Sequence, residues 1–453
     1  MRSVNYKLVL AFAMGLVVFS ACKKNKGGDD VTPPPPGNSQ SDIIKDSALF
    51  VAKELYLWYN QIPASFNARN YSDPNKIMEA IRAYSKEPGF QDPVDVWSFA
   101  YKQADWDNVS SGAAQDYGLN VFFRVEGDLR VRFVEKASPA GKAGIRRGWR
   151  ITKVNGSSNI TTGNSSFLSN AIYGGNPTVN LTFQKPDGSS VDITLNAAGY
   201  QENPVFLDTV YTVNAKKVGY LVFNSFLGDT NAIKNKFEQV FNRFATESVT
   251  EVIVDLRYNG GGYVSLQDWL ANYLVKSSAN GQTMMTQAFN DKYADWNSST
   301  TFNKKGSLNP DNLYFIVSSN TASASELLIN NLRPFMNVKL VGPSKTYGKP
   351  VGYFPFPVGD WYVFPVSFRS TNKNGQGNYF GGMALDNQVA DGIDKDWGDI
   401  TEASLASVIK YIGTGAFRMR AGEAYTPDPV VDRTNNIFAS PDFKGMVDTR
   451  KLR

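Results

Sequence analysis

The sequence predicts an α/β protein: a parallel sheet with flanking helices, preceded by a separate β module and, before that, a helical segment. Three observations carry this. Between residues 205 and 412, strand-like apolar runs take turns with runs of helical spacing, the order that builds a parallel sheet covered by helices. Between residues 112 and 200, short β-like runs alternate with glycine turns. Between residues 43 and 111, apolar residues recur at helical spacing.

Residues 1–21 carry Arg2 and Lys7 and then an apolar run from Leu8 to Ala21, too short for a bilayer and suited to a signal-peptide core. Phe19-Ser20-Ala21-Cys22 resembles a bacterial lipobox. That resemblance implies lipidation at Cys22 and a place in the cell envelope, anchored to a bacterial membrane on the outer-membrane or periplasmic side. The alternative is an ordinary signal peptide with an incidental cysteine. Cys22 is the only cysteine, so it has no second thiol to pair with. Residues 22–42, with Pro33 to Pro36, read as a flexible tether. The net charge of +5 over 453 residues is too small an excess to argue for nucleic acid.

In residues 43–111, Ile44, Leu49, Leu55 and Trp58 mark one helical stripe and Ile77, Ile81 and Tyr84 a second. In residues 112–200 the strand candidates are Leu119–Arg124, Leu129–Phe133, Val179–Phe183 and Val191–Leu195. Ser138 to Gly156 lies between them and resembles a PDZ signature: a short helix, a glycine turn, a strand and a Val-Asn-Gly turn. That resemblance places Tyr117, Gly118, Leu119 and Asn120 where such domains bind a peptide's terminal carboxylate, the peptide adding as a strand. In residues 205–412, Val218–Phe223 and Val252–Leu256 read as strands, and Asp229 to Phe244 as an amphipathic helix with Phe237, Val240, Phe241 and Phe244 on one face. Residues 277–312 read as an irregular surface excursion, residues 350–365 as β-ribbons, and Thr401 to Ile412 as a closing helix. Residues 413–453 show no period and read as a flexible tail.

The chemistry centres on Leu313 to Lys349. Leu-Tyr-Phe-Ile-Val is a buried strand, Ser319 and Asn320 form a turn, and Ala322 to Leu332 has helical spacing. Ser323 therefore sits at a strand-to-helix turn. A helix N-terminus offers free N–H groups and a positive dipole end, which favour an oxyanion beside a nucleophile. The plain alternative is that Ser323 and Ser325 cap the helix. The chain has no histidine, so a Ser-His-Asp triad is excluded, and the option left for activating a serine is lysine. Lys349 follows a second short strand, Val338 to Val341, and consecutive parallel strands bring their C-terminal loops to one edge. A lysine base has to be neutral, yet at a pKa near 10.4 only about 1 in 2,500 is neutral at pH 7, so burial has to disfavour the charge by roughly 3–5 kcal/mol.

Thr-Ala-Ser-Ala-Ser-Glu at 321–326 and Gly-Lys at 348–349 resemble the C-terminal-processing (tail-specific) serine peptidases. Asp-Leu-Arg-Tyr-Asn-Gly-Gly-Gly at 255–262 resembles that family's second signature. The resemblance covers roughly residues 112–412. It implies a crotonase-like (ClpP/crotonase-type) catalytic domain over 205–412, Ser323 as nucleophile and Lys349 as base. It also implies an oxyanion hole from the N–H groups of Gly261 and Ala324. Family members commonly orient the lysine with a glutamine four residues on; Tyr353 stands there. Asp255 and Arg257 read as braces for the glycine turn. The implied activity is cleavage of unfolded or extended polypeptides near their C-termini, with no metal or cofactor. Two rivals belong to other classes: a catalytically weak PDZ-containing lipoprotein that binds peptides, and a crotonase-like acyl-group enzyme.

Overall fold

The computed structural model describes residues 39–417, 435 and 443–449. The signal-peptide, Cys22 and tether assignments up to residue 38 lie outside the described residues, as does most of the stretch expected to be a tail.

The central sheet has six strands: β1 Val205–Val213, β2 Lys216–Phe223, β3 Glu251–Asp255, β4 Asn312–Ile316, β5 Asn337–Gly342 and β6 Asn387–Gln388. Their order across the sheet is β6-β5-β4-β3-β2-β1. From β2 to β6 the pairing is parallel, and β1 is added antiparallel to β2. The β1–β2 hairpin turns on Asn214 and Ala215, both at positive φ, as a two-residue turn of matching twist requires. Between the parallel strands run α1 Thr230–Thr246, α2 Val264–Leu274 and α3 Ala324–Leu332, and α4 Ala403–Thr414 closes the unit.

Alternation along the strands divides the core. Val252, Val254, Leu313 and Phe315 face the cluster built by Phe237, Phe241 and Phe244 of α1 with Leu270 of α2 and Leu328 of α3. Ile253, Tyr314 and Ile316 face the opposite cluster, with Leu405, Val408 and Ile412 of α4. Helices thus cover both faces, which is why Val252–Val254 of β3 and Leu313–Ile316 of β4 are continuous apolar runs. Gly219 lets α1 pack close, because a Cβ there would stand 2.6 Å from the Phe244 ring.

A buried ionic network joins β3 to α4. Arg257 pairs with Asp255 at 2.7 Å, Glu402 at 2.8 Å and Asp391 at 2.9 Å. Arg147, from the β module, pairs with Asp391 at 2.7 Å. Burial would raise the Glu402 carboxyl, but the Arg257 guanidinium holds it below the usual range. Glu402 also caps α4, accepting from Leu405 N at 2.8 Å.

The β module is a five-stranded antiparallel sheet in the order Leu119–Val125, Asp128–Val134, Arg150–Val154, Thr178–Gln184, Ser190–Asn196. Helix Ser165–Tyr173 packs on it, and Val121, Phe123, Val131, Ile151, Leu168 and Phe183 belong to its own core. Leu119–Val125 is an edge strand.

The structure corrects three segment readings. Residues 43–111 hold helices Gln40–Leu55, Pro74–Ile81 and Gln103–Ser111, but also strand Phe99–Lys102, paired antiparallel with Trp361–Phe364. Its four residues carry too little local pattern to declare themselves. The excursion at 277–312 contains strands Thr283–Ala288 and Ser298–Thr301, in a sheet with Phe368–Asn372 and Val351–Gly352. Their polar side chains masked them, because only Met284, Met285 and Gln287 among them turn inward. Gly445–Val447, in the expected tail, is a buried strand.

Among the described residues, no helix is long and apolar enough to cross a membrane. Arg257→Met should leave Asp255 and Glu402 buried without their countercharge and cost about 3–5 kcal/mol of stability. Urea unfolding of the variant and its parent measures this; an unchanged midpoint would remove the network from the account of the fold.

Candidate active site

Ser323 lies between the turn after β4 and the first turn of α3, fully buried. Its backbone has φ 59° and ψ −107°. That region is costly for a residue with a side chain, about 1–3 kcal/mol, and the serine of a nucleophile elbow sits on a strained turn of this kind. Its Oγ has no hydrogen-bond partner among the described residues. A capping serine has extended backbone and spends its hydroxyl on the helix N–H groups. Ser323 stands with Glu326 in a capping-box arrangement, but its backbone is not extended and its Oγ makes no cap hydrogen bond, so capping alone does not explain it. The helix is started instead by backbone: Leu327 N donates to Ser323 O at 2.7 Å.

The residue that assembles the site is Glu326, in the first turn of α3 and fully buried. Its Oε2 accepts from Ser323 N and from Lys349 N, each at 2.8 Å. Its Oε1 accepts from Gly348 N at 2.7 Å and Thr346 Oγ1 at 2.6 Å. One carboxylate thus clips the serine turn to the lysine loop. Burial raises the Glu326 carboxyl, and these four donors pull it back. Tyr347 N adds a bond to Thr321 O at 3.0 Å. In the sequence Glu326 stands out only as part of the Thr-Ala-Ser-Ala-Ser-Glu motif. The signal for its role was the Ser-x-x-Glu spacing at a helix start.

Lys349 is fully buried, and its Nζ donates to Tyr353 OH and, at 3.0 Å, to Lys444 O. The Nζ stands 5.7 Å from the centroid of the Trp97 ring. Burial drives its ammonium well below the ordinary lysine range, against the upward pull of the Asp95 and Glu326 carboxylates. Burial likewise pushes the Tyr353 phenol well up, so it stays protonated.

The glycine turn follows β3. Gly261 and Gly262 have φ +105° and +138°, and a Cβ on Gly261 would stand 2.3 Å from Gly445 O and 2.9 Å from Ala324 N. Glycine is required there by close approach and by dihedral alike. Asn259 organises the turn. Its O accepts from Ala322 N at 3.1 Å and Ser325 Oγ at 3.0 Å, and its Oδ1 accepts from Gly261 N at 2.9 Å. The Gly261 N–H assigned to an oxyanion hole is therefore already committed to Asn259. Ala324 N stands beside Gly261 at the start of α3.

Ser323, Ala324, Lys349, Tyr353 and Gly261 thus come together. Tyr117 to Asn120 form no part of this cluster and lie in the β module. There, Gly118 N donates to Asp116 Oδ1 at 2.6 Å, and Tyr200 OH donates to the same oxygen at 2.7 Å. The Gly118 N–H expected to meet a peptide's carboxylate is thus already bonded to Asp116. Tyr117 is turned inward, its OH donating to Asn176 O at 2.6 Å, and Leu119 and Asn120 are buried.

The model of peptidase family S41 matches residues 217–386. Among curated proteins, a CtpA-like serine protease of Staphylococcus aureus is 24% identical over 315 residues, 65% of this chain and 60% of the relative. The carboxy-terminal processing protease CtpB of Bacillus subtilis is 25% identical over 267 residues, 56% of this chain and 50% of the relative. The chain therefore spans about half to three fifths of the length of these relatives. Among solved structures, a Bacteroides fragilis protein assigned to the S41 proteases aligns with TM-score 0.67 and 22% identity, over 87% of this chain and 100% of the other. The photosystem II D1 C-terminal processing protease aligns with TM-score 0.50 and 19% identity, over 83% and 98%. These likenesses show a shared mixed α/β fold. Residues 217–386, the span that resembles peptidase family S41, hold the serine turn, the lysine loop and the glycine turn.

Proposed function

We propose that the chain is a serine endopeptidase acting on extended or unfolded polypeptides near their C-termini, through a Ser323–Lys349 dyad on a crotonase-like domain. The observation that carries this is the strained, buried Ser323 with an unspent hydroxyl, clipped by Glu326 to a buried lysine whose charge is disfavoured. Neutral Lys349 takes the Ser323 proton as Oγ adds to the scissile carbonyl. It returns that proton to the leaving amine, and water then hydrolyses the acyl-enzyme. Ala324 N–H, at the positive end of α3, meets the oxyanion; one such donor is worth about 10²–10³ in rate. Gly261 contributes open space rather than its N–H. Tyr353 orients Lys349 in place of a glutamine.

The PDZ-like module would present the substrate as an added strand, and a lipid at Cys22 would hold the enzyme in the cell envelope. A second reading, a catalytically weak peptide-binding lipoprotein, is favoured by one observation: Lys349 Nζ is bonded to Tyr353 and Lys444 O while Ser323 Oγ is bonded to nothing described.

Incubated with casein, the chain beginning near residue 40 should release fragments, and Ser323→Ala and Lys349→Ala should each lower the rate at least 10³-fold. Mass spectrometry of the fragments tests the peptidase reading, which fragments lost in both variants would support. Because neutral Lys349 is the active form, the rate should climb as pH rises from about 6 to 9 and be lost as the lysine protonates below that. A flat profile would remove lysine as the base. Ser323→Gly should abolish cleavage yet raise stability by roughly 1 kcal/mol, since glycine relieves the strained φ. A lower melting temperature for this variant would show that the turn stores no strain.

A further inference from the structure

Residues 443–449 run through the site as a strand bonded on both edges. On one side Gly445–Val447 pairs in parallel with Gly261–Tyr263, in the register Gly261 to Gly445, Gly262 to Met446 and Tyr263 to Val447. Gly445 N donates to Gly260 O at 3.0 Å. On the other side Tyr353 N donates to Met446 O at 2.9 Å, and Asp448 N donates to Tyr353 O at 3.0 Å. Met446 is fully buried in a pocket of Val264, Met285, Leu327, Phe354 and Phe368. Gly445 O and Ala324 N both stand where a Gly261 side chain would begin. Lys444 O takes a hydrogen bond from Lys349 Nζ at 3.0 Å.

These are the contacts the peptidase reading requires of a substrate: strand addition, one side chain in a pocket, one backbone carbonyl near the start of α3 and another accepting from the lysine. A second place of strand addition is also taken by this stretch of the chain. The backbone N and O of Phe123, on the β module's edge strand, are both bonded to the Asn435 side-chain amide, each at 2.7 Å. Val121 N, two residues earlier on that strand, donates to Tyr173 OH at 2.8 Å.

We propose that Lys444–Asp448 is an internal occupant of the substrate groove, which at rest excludes other polypeptides and draws Lys349 away from Ser323, and that the pocket under Met446 selects apolar side chains of methionine's length. The proposal rests on the peptidase reading for the word substrate; the occupancy is tested apart from it. A tethered occupant acts at an effective concentration on the order of millimolar, so a free peptide at micromolar concentration competes poorly.

The test uses a fluorescein-labelled Lys-Gly-Met-Val-Asp peptide and the Ser323→Ala chain, which cannot consume it. Two opened versions are compared with that chain: Met446→Asp, which sets a charge in the apolar pocket, and a replacement of residues 444–448 by glycine and serine. Circular dichroism and melting establish which opened versions fold, and the glycine–serine version carries the test where the aspartate does not fold. The opened chain should bind the peptide at least tenfold tighter than Ser323→Ala alone. Equal affinity overturns the occupancy. A peptide with aspartate at the methionine position should bind at least tenfold more weakly to the glycine–serine version, and equal binding overturns the pocket's selectivity. With Ser323 intact, the opened chain should cleave casein at least tenfold faster than the parent. Tighter peptide binding with no cleavage by any version supports the occupancy and sinks the peptidase reading. Cleavage at one rate by all versions, with unchanged peptide affinity, does the reverse.

Discussion

The site depends on a single buried carboxylate. Glu326 accepts hydrogen bonds from the serine turn, from two backbone amides of the lysine loop and from Thr346, whose own hydroxyl oxygen accepts from Met383 N at 2.7 Å. An unpaired carboxylate in this position would be untenable, since a buried charge without donors costs many kcal/mol. Each donor is therefore held in place by the need of the acceptor, and the two reactive loops cannot drift apart without stranding it. Strain at Ser323 is affordable on the same ground: the φ of 59° is imposed by a helix start and a carboxylate clip that together over-determine the turn.

The rest of the catalytic unit serves to deliver these loops to one edge. The serine turn, the glycine turn and the lysine loop follow the C-terminal ends of β4, β3 and β5, which are adjacent and parallel. Parallel neighbours force their following loops to the same side, where open α/β sheets place ligands. The Asp255–Arg257–Glu402 network sits just beneath and holds the glycine turn's base against α4. The lysine is dried by one residue distant in sequence and one close to it. Trp97, from the N-terminal region, and Tyr353 lie against its Nζ. A cavity of about 430 Å³, bordered by Trp97, Phe99, Tyr347 and Phe443, opens beside them.

Much of this was legible in the sequence because it is local. Alternation in Leu313–Val317 and helical spacing in α1 and α3 are set by neighbours along the chain, and the structure has β4 at Asn312–Ile316 and α3 at Ala324–Leu332. Absence of histidine, a serine at a helix start and a lysine after the next strand required no coordinates. Strands Phe99–Lys102 and Thr283–Ala288 were illegible because each pairs with a partner more than 80 residues away, and Ser298–Thr301 because it is short and polar. Glu326 was visible as a spacing but not as a hub, since three of its four donors come from residues 346–349.

By itself the sequence determined the alternating architecture, the kind of nucleophile and the kind of base, because residue type and short-range period carry that information. Only the tertiary structure decided the burial of Lys349 beside Trp97 and Tyr353, which disfavours its charge, and the commitment of the Gly261 N–H to Asn259. It alone decided that Gly445–Val447, a stretch with no period of its own, is a strand in the groove. A strand of three residues has no stability apart from the two edges that receive it, and those edges are about 90 and 180 residues away along the chain.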